Sequence, residues 1–226
     1  AAARRGHAIE SGDVLVVAQK IVSKAEGALV RLDDVVASAA ATEWAATYGK
    51  DPRVIEVVLR ETKRTVRMQR GILIAETHHG FVCANAGVDA SNVEAGFVTV
   101  LPRDPDASAQ RIRDGVRRTS FAPRPLSIAV IISDTFGRPW REGVVNVALG
   151  VAGLRPLVDY RGCRDPYGRE LHSTVVAVAD ELASAAEMVM RKTARTPVAV
   201  VRGAAEWLGE GSGRLLLRDA ALDLFR

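Results

Sequence analysis

Cysteine is scarce in this sequence. Cys83 and Cys163 are the only two, they lie in unlike contexts, and such a pair builds neither a disulfide framework nor a zinc pattern. No apolar run reaches the roughly 18 residues that a membrane-crossing helix needs, and no signal peptide is visible. The compartment expected from these absences is a reducing cytoplasm. The pattern Gly-x-x-x-x-Gly-Lys-Ser/Thr is missing too, so a bound nucleotide would have to be held by something other than a P-loop. Charge of one sign is not in large excess. A net +4 favours anionic ligands without requiring nucleic acid, and no stretch combines basic and aromatic residues as a nucleic-acid surface would. No internal repeat stands out.

What is present is ordinary globular composition: 226 residues, 48% hydrophobic and 26% charged, enough for one large domain or two small lobes. Val14-Leu-Val-Val-Ala18 reads as a buried strand, and residues 28–32 as a short one. An alanine-rich helix is expected from Asp33 to Tyr48 with Gly49 as its stop, and a second from Asp51 to about Val66 with Pro52 in its first turn. Residues 72–75 and the run around Val82 form a hairpin across the turn at His78 and His79; His79 reads as a structural or exposed turn residue. Phe97 to Leu101 is a strand, and Asp106 or Ser108 starts a helix to about Arg118. Residues 119–125 are a linker, and Ile128 to Ile132 form another strand. Residues 143–149 fit strand or helix equally, and 151–160 fit a strand or a helix-to-strand connection. Residues 161–169 make an arginine-rich polar loop, Ser173 to about Lys192 a helix, and residues 198–203 a final core strand. This irregular order of short strands, hairpins and helices predicts an α+β fold.

Two strand ends carry the chemistry. Gly80-Phe-Val-Cys-Ala84 runs into Asn85, Gly87, Asp89, Ser91 and Asn92, a polar cluster whose side chains compete for backbone hydrogen bonds and should end the strand. Asp89 and Asn92 are hard-oxygen donors suited to Mg²⁺ or Mn²⁺, although a polar turn closed by an Asx bond accounts for them as well. The second run ends in Ser133-Asp-Thr-Phe-Gly-Arg138, delivering Asp134 and Thr135, with Arg138 and Arg141 beyond to hold phosphate or carboxylate. Two strands each ending in Asp plus a hydroxyl or amide look like two sides of one metal site. Ser23 and Lys24 follow the first strand, where a phosphate site could be built, although lysines near strand ends are mostly solvated.

Six blocks together resemble a known family. They are Gly12 to Val17 with Ile21-Val-Ser-Lys-Ala-Glu-Gly27; Ala84 to Asn92; Ser133 to Arg138; Arg164-Asp-Pro-Tyr-Gly-Arg-Glu-Leu171; Val178-Ala-Asp-Glu-Leu182; and Pro197 to Gly203. In this order, across nearly the whole chain, the sequence resembles the coenzyme F-420 γ-glutamyl ligases, the CofE-like proteins. The N-terminal ligase domain of FbiB-type proteins belongs to the same group.

The resemblance implies a CofE-like fold of two intimately joined α/β lobes, residues 1–226 forming a single ligase unit. It implies a GTP-dependent ligase that adds L-glutamate to the deazaflavin precursor F-420-0 through an acyl phosphate, releasing GDP and phosphate. By position, Asp89 and Asp134 look like the metal ligands, with Thr135 serving a second metal. Gln19, Lys24, Asn92 and the segment carrying Met190, Lys192 and Thr193 look like nucleotide contacts. Asp89, Asp134 and Arg138 would form the catalytic set. Mg²⁺ or Mn²⁺ is the implied metal, with K⁺ as a further candidate, and a cytoplasmic homodimer the implied assembly.

Two departures stand out. The family's N-terminal strand and its Leu-Pro or Ile-Pro segment have no counterpart before Ala1, so one wall of the GTP site is expected to be missing and the strand at Val14 to lie at an open sheet edge. Gln19 and Lys20 stand where many relatives carry serine followed by threonine or lysine. A metal- and nucleotide-binding homologue without ligase activity is the competing reading, and a nucleic-acid module the third.

Overall fold

A computed structural model describes residues 8–119 and 125–223. Within them the chain mixes α and β structure, in keeping with the α+β expectation. It divides into two compact units. One takes Ala1–Ala18, Pro105–Thr135 and Val145–Arg226 as far as these are described; the other takes Gln19–Asp104 and Phe136–Val144.

The first unit is built on a four-stranded sheet. Strand β1 (Val14–Ala18) is a run of apolar residues buried on both faces. In the second unit it is followed by α1 (Gln19–Ala25), β2 (Leu29–Arg31), α2 (Ala39–Tyr48), α3 (Pro52–Glu61), β3 (Thr62–Gln69), β4 (Ile72–Thr77), β5 (Val82–Ala84) and β6 (Phe97–Thr99). The remaining elements are α4 (Pro105–Thr119), β7 (Ala129–Arg138), β8 (Arg141–Ala152), β9 (Val158–Asp159), β10 (Val175–Val176), α5 (Val178–Met190) and β11 (Val198–Val201). The sheet order is β11-β1-β7-β8. β1 runs parallel to β7, from Val14 opposite Ala129 to Ala18 opposite Ser133, and antiparallel to β11. The expected open edge at β1 is therefore absent: neighbours on both sides take its backbone groups. β11, expected as a core strand, is an edge, with Val198 and Val200 partly exposed.

Helix α5 lays Val178, Ala179, Leu182, Ala183, Ala186 and Met190 on the face of the sheet formed by Val14, Val16, Ala129, Ile131 and Ala199. Small residues at 179, 183 and 186 allow a close approach, and Asp180 and Glu181 in the first turn suit the positive end of the helix dipole. Residues 173–177, expected to be helical, instead hold β10 paired with β9, because the β-branched Val175 and Val176 suit an extended chain.

Two carboxylates lock this unit. Asp13, almost wholly buried, accepts from Arg202 Nε and Nη2, both at 2.9 Å, and from the Glu10 amide. The Arg202 bonds, against the opposing effect of burial, hold its carboxyl below the ordinary range. Asp106 accepts from the amides of Val151 and Gly213, each at 2.8 Å, and from Ser212 Oγ, tying α4 to β8 and to the C-terminal segment. Gly150 makes this approach possible, since a Cβ there would lie 2.2 Å from the Pro105 carbonyl carbon.

In the second unit, α2 is capped by Ser38 and ended by Gly49 in the left-handed region, and α3 starts with Asp51 as cap and Pro52 behind it. The core joins Trp44, Ala45, Ile55, Val57, Val58, Leu73, Ala75 and Val98. α3 ends at Glu61, earlier than the expected Val66. Thr62, Thr65 and Val66 favour a strand, and β3 pairs with β4 so that Lys63 and Arg64 both reach the buried Glu76, at 3.3 and 2.9 Å. Residues 143–149, open between strand and helix, belong to β8. The 119–125 linker lies largely outside the described residues.

Substitution of Gly150 by Ala is expected to lower the unfolding free energy by about 3 kcal/mol, the upper range for forcing atoms into a packed site. A urea titration yielding an unchanged midpoint would contradict this.

Candidate active site

The strand end at Ala84 turns sharply because three successive residues, Asn85, Ala86 and Gly87, have φ of 52, 50 and 75°. Gly87 is fixed by sterics as well: a Cβ would come within 2.7 Å of Leu101 Cγ. Beyond the turn the backbone of Asp89 is clamped to the buried Thr99, which donates its amide at 2.9 Å and its hydroxyl at 3.1 Å to the Asp89 carbonyl. The Asp89 amide returns a 3.0 Å bond to the Thr99 carbonyl. With the backbone held, the carboxylate is presented on the loop side.

Helix α1 places two lysines against that loop. Lys20 and Lys24 are four residues apart and so share a face. Lys20 Nζ donates to Asp89 Oδ2 at 2.7 Å and to Ser91 Oγ at 2.6 Å; Lys24 Nζ donates to the Asn92 carbonyl. Ser91 adds its amide to Asp89 Oδ1 at 2.6 Å and its hydroxyl to Oδ2 at 3.1 Å. Partial burial pushes the Asp89 carboxyl up, but the bonds from Lys20 and Ser91 outweigh it and hold the pKa below the ordinary value. The group is therefore a charged oxygen donor at neutral pH.

Gln19 does not face this loop. Its side chain is buried, and Oε1 lies 2.8 Å from Ser23 Oγ, which also reaches the Val100 carbonyl at 2.7 Å. The cation that meets Asp89 is the neighbouring Lys20, which the sequence marks only as a departure from the family pattern. The pattern Lys20-x-x-x-Lys24 on a short helix was the available signal.

In the first unit, β7 does not stop at Ile132 as expected but continues to Arg138, so Asp134 and Thr135 lie within a strand and point to opposite faces. They cannot share one ion through adjacent side chains. Thr135 is on the α5 side, where its hydroxyl donates to Oδ1 of the buried Asn146 at 2.7 Å. Asn146 Nδ2 donates to Glu187 Oε2 at 3.2 Å, Glu187 Oε1 lies 3.5 Å from Lys192 Nζ, and Lys192 Nζ donates back to Thr135 Oγ1. Asn146 and Glu187 were missed because they sit on other elements, 11 and 52 positions along the chain from Thr135. Asp134 is half-buried and engaged in contacts of its own.

The remaining expected residues differ in exposure. Met190 is buried in the α5 core, so only its backbone is available. Thr193 is exposed. Arg138, near the β7–β8 turn, donates to the carbonyls of Glu142 at 2.5 Å and Gly143 at 3.5 Å. Asp180 accepts the Ala148 amide at 2.8 Å, and burial, the dominant influence, raises its pKa despite that bond.

Asp89 fits a Mg²⁺ or Mn²⁺ ion: it is ionised, and Oδ1 takes one hydrogen bond where a carboxylate oxygen can accept two. Thr135 fits poorly, since its lone-pair side is taken by an ammonium. Among the described residues no group of three or more His, Cys, Asp or Glu side chains is gathered to hold a metal. No helix there is long and apolar enough to cross a membrane.

The sequence matches, over residues 1–203, the family described as F420-0:Gamma-glutamyl ligase. It is 48% identical to the coenzyme F420:L-glutamate ligase of Methanothermobacter thermautotrophicus, over 98% of this chain and 87% of that protein. The protein of the same name from Methanopyrus kandleri is also 48% identical, over 96% and 87%, and that of Archaeoglobus fulgidus 41%, over 96% and 85%. Matches of this extent define an enzyme of the ligase class. The chain belongs to the F420-0:gamma-glutamyl ligase family.

The Lys20–Asp89 pair gives a pH prediction. A carboxyl whose folded pKa is depressed adds stability above its unfolded pKa, and that stability is lost as pH falls through the folded value. Lys20→Met should therefore raise the Asp89 pKa and shift the onset of acid unfolding to higher pH. Carboxyl NMR titration of both proteins checks this, and coincident Asp89 curves would refute it.

Proposed function

We propose that the protein joins L-glutamate by an amide bond to the coenzyme precursor F-420-0, with GTP as co-substrate. The observation that carries this reading is the ionised Asp89 beneath Lys20, on a loop also gripped by Lys24, in a chain 48% identical to a coenzyme F420:L-glutamate ligase. A carboxylate beside two ammonium groups suits a polyphosphate and its metal, because phosphoryl transfer demands positioning and charge neutralisation more than a protein nucleophile.

In this reading the γ-phosphoryl group of GTP passes to the terminal carboxylate of F-420-0, giving an acyl phosphate and GDP. The glutamate amine attacks the acyl carbon, the C–N bond forms, the C–O bond to phosphate breaks, and the amine loses a proton. Lys24 and the Asn92 loop hold the nucleotide, with Lys192, Thr193 and the Met190 backbone as further contacts. Lys20 keeps Asp89 ionised and in place. Asp89 and Asp134 are the metal ligands, and Mg²⁺ or Mn²⁺ supplies neutralisation of phosphate charge when bound. Arg138 would have to exchange its carbonyl partners for phosphate or carboxylate. The same reading takes K⁺ as a further ion and a homodimer as the assembly.

The test is incubation with GTP, Mn²⁺, L-glutamate and F-420-0, followed by product mass. One added glutamyl residue with GDP release is expected. Binding of GTP and Mn²⁺ with no mass increase would instead identify a homologue without ligase activity. Asp89→Asn and Asp134→Asn should each lower kcat/KM about a hundredfold or more, the scale of single charge-stabilising groups, while thermal unfolding still shows a folded protein. Retained activity in either variant removes that residue from the metal site.

Lys24→Ala should weaken GTP binding about tenfold, the low end for one charge-assisted hydrogen bond. Calorimetric titration gives the affinity directly, and an unchanged value would exclude Lys24 from the nucleotide site.

A further inference from the structure

Thr135, Asn146, Glu187 and Lys192 close a ring of polar contacts within the first unit. The direction of each bond constrains what Thr135 can do. Its single hydroxyl proton is given to Asn146 Oδ1 at 2.7 Å. Asn146 is buried, and its amide nitrogen is turned to Glu187 Oε2, so its oxygen is fixed toward Thr135. Away from Asn146, Thr135 Oγ1 therefore shows only lone pairs, which favour a cation. The chain itself provides that cation, Lys192 Nζ, whose charge is balanced by Glu187 Oε1 at 3.5 Å.

A divalent ion on Thr135 would sit at about 2.0–2.1 Å from Oγ1 if it were Mg²⁺. It would then overlap the ammonium, and the two charges would repel. The two occupants are alternatives. Lys192 is 60% exposed, and an ammonium carries three N–H groups, so it can contact Thr135 and Glu187 and still direct a hydrogen toward an anion from solvent.

We infer that Lys192 is a tethered cation that takes the place of a second divalent ion at Thr135, so that the protein works with one divalent ion rather than two. This rests on the proposed phosphoryl-transfer reading, in which Lys192 is a nucleotide contact. It departs from the expectation, drawn from the family resemblance, that Thr135 serves a second metal. The chemistry supplied is hydrogen-bond donation to a phosphate or carboxylate oxygen from an ammonium whose charge is shared with Glu187.

The experiment counts Mn²⁺ bound per chain, with Mn²⁺ alone as the probe, by the electron paramagnetic resonance signal of the free ion. The wild-type protein should bind one ion. Lys192→Met, which keeps the stem and removes the charge, should bind two, and Lys192→Met with Thr135→Val should return to one. Equal counts for wild type and Lys192→Met overturn the inference, as does a wild type with two ions of which Thr135→Val removes one. The metal reading at Asp89 fails separately: it falls if Asp89→Asn leaves the wild-type count unchanged or if wild type binds none. The difference between wild type and Lys192→Met decides the role of Lys192 in either case.

Discussion

The parallel pairing of β1 with β7 is the constraint on which the rest depends. Antiparallel strands can be joined by a two-residue turn, but parallel neighbours need a crossover long enough to bring the chain back to the same end of the sheet. Here that crossover holds everything from Gln19 to Ile128, including all of α1 through β6 and helix α4. The second unit is thus largely an insertion between two adjacent strands of the first. In the chain, Lys20 and Lys24 come directly after β1, and Thr135 lies two residues beyond Ser133 on β7.

Both clusters use the same electrostatic device. An oxygen expected from the sequence to meet a metal meets a lysine ammonium instead, and a third polar group fixes its geometry. Ser91 does so for Asp89, and Asn146 for Thr135. The surroundings differ in consequence. Asp89 brings its own negative charge, and its Oδ1 retains room for another ligand. Thr135 is neutral, and Glu187 must balance Lys192 from a separate helix. A divalent ion is compatible with the first arrangement and displaced in the second.

How far the sequence could be read depended on the range of the interactions. β1 is legible because an unbroken run of valine and leucine suits a strand covered on both faces, and the end of α2 because Gly49 marks it, whereas its start lies at Ala39 behind the Ser38 cap rather than at the expected Asp33. The overrun of α3 arose where Arg60, Lys63 and Arg64 keep helical spacing; their extended conformation is set by Glu76 on the adjacent strand. Asp89 was visible because its loop is polar just past an apolar run. Lys20 stands out in the sequence only as a departure from the family pattern, because nothing in its neighbours reveals a partner 69 residues away. Asn146 lies in a stretch where valine, alanine and glycine leave strand and helix undecided. Its role appears only when β7, β8 and α5 are brought together.

The sheet order has a consequence for synthesis of the chain. β1 is translated early, yet Val14 pairs with Val201, near the other end of the described chain. At roughly 5–20 residues per second, about ten to forty seconds separate the two. Until β7 is made, from Ala129 on, β1 has neither neighbour, and one side stays uncovered until β11 follows, while β2 through β6 have their partners nearby. The nascent chain therefore has a built-in order, with the inserted unit able to fold before the sheet that encloses it in sequence.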